Sequence, residues 1–163
     1  MERSVKLLLF CVFIFTLVFA SSCSGAGAYQ RSVYDDAKKI SATGDSYTYI
    51  SKIGSVHEDQ LSFEINGFYG KDTVWEIAAE GGCTINFSVS SNIKSGKFKL
   101  CLVNNSEVTA TIFEGSQNGV YPVALSEGIN RIIMVGSNAG GTVTVLLPGD
   151  IADKPVTVKP IRN

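Results

Sequence analysis

The side chains able to do chemistry are few. His57 is the only histidine among 163 residues, so a multi-histidine metal centre or a His-bearing metalloprotease motif is excluded. A Ser-His-Asp site stays arithmetically possible because Ser and Asp are plentiful, but no serine sits in a G-x-S-x-G setting. "SVHEDQ" reads as a polar turn with His57 on the surface. Glu58-Asp59, Asp35-Asp36 and Asp150/Asp153 are the acidic clusters. Asp and Asn with backbone oxygens hold calcium in many sandwich domains, yet no EF-hand spacing is present and these acids read as solvated turn residues. No metal, cofactor or catalytic group is expected. The aromatics offer more: planar rings stack on sugar faces, and Tyr47, Tyr49, Phe68, Tyr69, Trp75 and Tyr121 are the candidates. Trp75 shares the parity of Ile77 and is expected in the core. Phe68 and Tyr69, in the glycine-flanked "NGFYGKD", together with Tyr121, are the candidate ligand-binding aromatics.

The remaining reactive group is a thiol. Four cysteines occur, at 11, 23, 83 and 101. Glu2, Arg3 and Lys6 precede a run from Leu7 to Phe19 that is apolar except for Thr16, followed by Ala20-Ser21-Ser22 and Cys23. A charged start, an apolar stretch and small residues before a cut make a secretory signal. A membrane span is the competing reading, but it needs roughly 17–25 apolar residues, and no Lys/Arg cluster follows the run. Ala20-Ser21-Ser22-Cys23 resembles the lipobox of bacterial lipoproteins, with Ala20 where Leu is usual. The resemblance implies that Cys23 takes diacylglycerol in a thioether, that the chain is cut between Ser22 and Cys23, and that Cys11 leaves with the signal peptide. It further implies residence on the extracytoplasmic face of the cell membrane, held through the lipid on Cys23.

Removing residues 1–22 from 163 leaves 141, about one ordinary domain. That part carries 12 basic and 14 acidic side chains, a formal charge of −2. This balance gives no footprint for nucleic acid and no basic stripe for anionic lipid. Residues 23–28 read as a small-residue linker between lipid and fold. Residues 29–45 are either a short helix around Asp35–Ile40 or an extended lead-in. From 46 to 147 the period is two: nine short segments rich in β-branched and aromatic residues are punctuated by Gly, Asn, Asp and Ser. Such spacing predicts an all-β, antiparallel, jelly-roll-like β-sandwich of about eight or nine strands. Residues 148–163, with three prolines, read as a loose tail whose "VTV" could add an edge strand.

Two expectations concern register. Ile85, Phe87 and Val89, and then Phe98, Leu100 and Leu102, alternate with polar residues. A loop over 91–96 would make the two runs a hairpin with Ser90 opposite Lys97 and all six apolar side chains on one face. Cys83 then points inward and Cys101 outward, so two unpaired thiols are expected rather than a disulfide. "GINRIIMVG" (128–136) is apolar on both parities. It is either a central strand covered on both sides or one whose outer face meets the N-terminal segment. "NFS" (86–88) and "NNS" (104–106) match the glycosylation sequon, which bacterial export makes a chance match.

The stretch from "GFYGKDTVWEIAAEGG" through "GKFKLCLVNN" to "INRIIMVGSNAGGTVTV" resembles the single sandwich domain of small Gram-positive lipoproteins. Its features are a Trp-Glu-Ile strand, "GKFKL" after a glycine turn, and Val135-Gly136 followed by Asn138, Ala139 and Gly140. The fold is also similar to carbohydrate-binding modules and pre-peptidase domains. The resemblance bears on architecture and is nearly silent on activity; the leading expectation is a non-catalytic binding or envelope-interaction module, with an unknown envelope protein or polysaccharide as partner. The alternative is a cell-wall or extracellular polysaccharide met through loop aromatics. Fold likeness carries no site residue beyond Cys23.

Overall fold

The computed structural model describes residues 25–104, 109–149 and 155–161. The signal segment and the expected cut at Ser22/Cys23 lie outside them. Two short helices, α1 (Gly25–Arg31) and α2 (Ala37–Ser41), lead into eight strands: β1 (Ser46–Thr48), β2 (Ser51–Val56), β3 (Gln60–Ala79), β4 (Cys83–Val103), β5 (Thr109–Glu114), β6 (Gln117–Leu125), β7 (Gly128–Leu146) and β8 (Val156–Pro160). All pairings are antiparallel, and the strands join in one sheet with the order β1-β3-β7-β4-β5, to which β2 and β8 add on β3 and β6 adds on β4. The expected all-β antiparallel fold is present.

Three strands of about twenty residues make the sandwich from that single sheet. β3, β7 and β4 each run through two layers and change layer at a bulge. The ladder between β3 and β7 is irregular between Ile65 and Tyr69, and the ladder between β4 and β7 between Ile93 and Lys97. In the first layer β2, the start of β3, the end of β7, the start of β4 and β6 lie side by side. In the second, β1 and β8 flank the end of β3, which pairs with the start of β7, then the end of β4, then β5. The bend needs residues without side chains. Gly96 has φ +65°, and a Cβ there would strike the backbone carbonyls of Ser137 and Asn138 on β7. At Gly136 a Cβ would run into the ring of Phe68.

The hairpin expected over 84–102 is therefore corrected: its two halves are one strand, β4. Glycine at 96 bends the chain without reversing it, because β7 runs alongside from Ser88 to Val103 and supplies the ladder on both sides of the bulge. The inward parity holds nonetheless. Ile85, Phe87, Val89, Phe98, Leu100 and Leu102 all join the core between the layers. Trp75 of the second layer meets Phe87 of the first edge-to-face at 6.0 Å. "QLSFEIN" with "TVWEIAA", and "NRIIMVG" with "GTVTVLL", merge in the same way into β3 and β7.

The outer face of the second layer carries its own cluster. Ile133 and Val135 of β7 and Cys101 and Val103 of β4 are buried under Val33, Tyr34 and Ile40 of the N-terminal segment. "GINRIIMVG" is covered on both sides at Ile133 and Val135, while Ile129, of the same parity, is exposed beyond the cover. Residues 25–28, read as linker, are the first turn of α1. Asp36 caps α2, accepting from the Lys39 amide at 3.1 Å. The carbonyls at the other end of α2 are taken by cations of the sheet: Lys71 Nζ donates to Ile40 O and Ala42 O, and Arg131 to Ser41 O and Ala42 O. In the tail, residues 156–160 are not loose but pair with Trp75–Ala79 as an edge strand.

Candidate functional site

None of the other described residues packs over the first layer's outer face, and period two decides what it shows. Across the strands, Ser55 lies opposite Ser62, Ser62 opposite Thr144, Thr144 opposite Ser90, and Ser90 opposite Asn118. Five hydrogen-bonding side chains thus form one row over five strands, and Ser62 Oγ and Thr144 Oγ1 are 3.2 Å apart. The row on one side is Ile53, Glu64, Thr142 and Asn92; the row on the other is Gln60, Leu146, Ser88 and Val120. Ile53, Val120 and Leu146 are three of the most exposed large apolar side chains. Glu64 is the one charged residue in the three rows.

The row ends in a cleft of about 410 Å³ between β2 and the residue after β8, lined by Lys52, Gly54, Ser55, Val56, His57, Phe63 and Ile161. Ser55 Oγ is 3.0 Å from His57 Nε2. The two stand at i and i+2 on one strand edge, so strand geometry alone brings them together. Nucleophilic catalysis would need the ring oriented by a third group. Among the described residues no carboxylate hydrogen-bonds it. The His57 carbonyl accepts from Trp75 Nε1 at 2.6 Å, which ties the cleft to the core.

Below the cleft an ion pair joins the layers. Asp72 is buried in β3 of the second layer and takes Lys52 Nζ of the first at 2.8 Å and Tyr49 Oη at 2.7 Å. Burial, then the Asp72 charge, pushes the Tyr49 hydroxyl far above the ordinary phenol range. Lys52 Nζ also lies over the Phe63 ring at 4.5 Å. A buried carboxylate so placed is satisfied within the fold and serves the join between layers.

The candidate aromatics are not brought together. Phe68 is fully buried and stacks on Tyr49 at 4.5 Å, so it is removed as a ligand-binding side chain. Its parity places it on the inner face, where it fills the bend against Gly136. Tyr69, next along β3, lies on the outer side with the Arg31 guanidinium 5.3 Å over its ring. Tyr121 packs against the core beside Phe113 and donates to Gln117 Oε1 at 2.9 Å. Trp75 is fully buried, as its parity requires. His57 is exposed. Cys83 and Cys101 are both free thiols, one on the core side and one in the outer cluster. Among the described residues no three His, Cys, Asp or Glu groups are placed to hold a metal ion, and no helix is long and apolar enough to cross a membrane.

Sequence reading missed the hydroxyl row and Lys52. The polar halves of "SFE" and "FSVSSN" were visible, but a row across strands exists only once the register is known. No family model matches the chain, and no curated protein matches it.

Proposed function

We propose that this chain is a membrane-anchored, extracytoplasmic, non-catalytic binding module of the cell envelope. Cys23 carries the lipid, and the bare face of the first layer with its adjoining cleft meets the partner. The observation that supports this reading is the asymmetry of the sandwich. The N-terminal segment, which leads back to Cys23, seals one outer face, while the opposite face remains open and nearly uncharged. An envelope protein fits the exposed Ile53, Leu146 and Val120.

A neutral polysaccharide of the cell wall or extracellular matrix is the second reading, favoured by the hydroxyl and amide row. Such a row offers donors and acceptors and no charge. Sheet twist of roughly 20–25° per strand pair suits a flexible chain better than a flat crystalline surface. On this reading the ligand lies on the sheet face, not on the loop aromatics. Co-sedimentation with protein-free cell-wall polysaccharide tests it. The wild-type chain should sediment and Thr144→Arg, which places a long cation mid-row, should not. Equal sedimentation of both would remove the face as the site; no sedimentation, with Thr144-dependent retention on intact envelopes, would favour the protein partner.

A further inference from the structure

The distribution of charge bears on how the molecule sits. On and around the N-terminal segment are seven cations: Arg31, Lys38 and Lys39 on the segment, Lys97 and Lys99 against Tyr34, and Lys71 and Arg131 on the α2 carbonyls. Five acids accompany them: Asp35, Asp36, Asp45, Glu114 and, opposite Arg131, Glu76. The other described residues carry three cations against six acids. A chain of formal charge −2 after removal of residues 1–22 is thus strongly polarised, positive where its N-terminus leaves the fold. The linear sequence hides this, because Lys97 and Lys99 reach the segment only through the fold.

Aromatic rings are interleaved with these cations. Lys99 Nζ is 4.6 Å and Lys97 Nζ 5.6 Å from the Tyr34 ring, Lys39 Nζ is 5.7 Å from Tyr29, and Arg31 lies over Tyr69. Tyr29 is 43% exposed. An exposed amphipathic ring such as Tyr29 favours the headgroup level of a bilayer, whereas Tyr34 is buried and only anchors Lys97 and Lys99. Distance completes the argument. α1 begins at Gly25, two positions after Cys23. Two residues span at most about 7 Å, within the roughly 8 Å over which physiological salt screens charge. A lipid on Cys23 therefore holds the start of α1, one end of this face, at the membrane surface.

We propose that the N-terminal face docks on anionic phospholipid headgroups, with Arg31, Lys38, Lys39, Lys97 and Lys99 as its contacts. This rests on the anchored-module reading and deepens it: lipid and cations act as two membrane signals. Docking turns the bare first-layer face and its cleft away from the bilayer, toward the envelope.

The test uses the full chain extracted from membranes and returned to vesicles, of phosphatidylglycerol mixed into phosphatidylcholine or of phosphatidylcholine alone. A membrane-impermeant amine reagent is applied and each lysine is read by mass spectrometry. Lys38, Lys39, Lys97 and Lys99 should label about fivefold more slowly on the anionic vesicles, given about 1 kcal/mol per cation at such a surface. Molar salt should restore them, and Lys52, in the cleft of the first layer, should not change. A lipidated chain that floats with both vesicles and labels equally on them overturns the docking alone. A chain without lipid that fails to float overturns the anchor, and the docking with it.

Discussion

At the scale of single residues, environment separates two thiols that the sequence presents as equals. Cys101 lies under Val33, Tyr34 and Ile40, and burial pushes its thiol up to about 11 from an ordinary 9.0. Cys83 is half-buried. A thiol reagent at neutral pH should therefore modify Cys83 in the native protein and reach Cys101 only after denaturant is added; equal native rates would contradict the outer cluster. The linked effect on stability has a definite sign. Below pH 9 Cys101 is protonated folded and unfolded and contributes nothing. Between about 9 and 11 the unfolded thiol ionises first, so stability falls as pH rises through that window. Thermal melts of Cys101→Ala beside the wild type should show a smaller alkaline loss in the variant. Parity made the directions of both cysteines legible in advance. The cover over Cys101 was not, since it depends on three apolar residues far away in sequence.

At the scale of elements, alternation told which side chains face the core but not how strands connect. Glycine between two alternating runs is the same signal for a turn and for a bulge. Gly96 was read as part of a turn, and the six inward residues around it are the same under either reading. The partner decides: β7 is long enough to pair with β4 on both sides of Gly96. Gly96→Val should consequently lower stability by at least about 2 kcal/mol, since it combines a left-handed backbone at a β-branched residue with a clash against β7 carbonyls. Urea titration measures it, and a loss under half that value would mean that the bend is more tolerant than its geometry requires. The N-terminal segment was the other ambiguity. Its helices are too short to persist alone. They are held by burial of Val33 and Ile40, each worth about 1.5–3 kcal/mol, and by Lys71 and Arg131 on the α2 carbonyls. No local pattern in residues 29–45 carries that information.

At the scale of the whole molecule, one twisted sheet folded at a line of bulges produces two outer faces with opposite fates. The chain's own N-terminal segment covers one, and cations gather around it; the other stays open, with a hydroxyl row ending in a cleft. The fold class could be read from period and punctuation. The candidate site could not, because its residues come from β2, β3, β4, β6 and β7 and share nothing in sequence beyond polarity. On the proposed reading, the lipid on Cys23 ties the covered side to a membrane. The decisive measurement is the intact mass of the protein extracted from membranes, beside Cys23→Ser. The expected result is a chain beginning at residue 23 with a mass increase of diacylglycerol size, absent from the variant; an unmodified chain released to the medium would overturn the anchor.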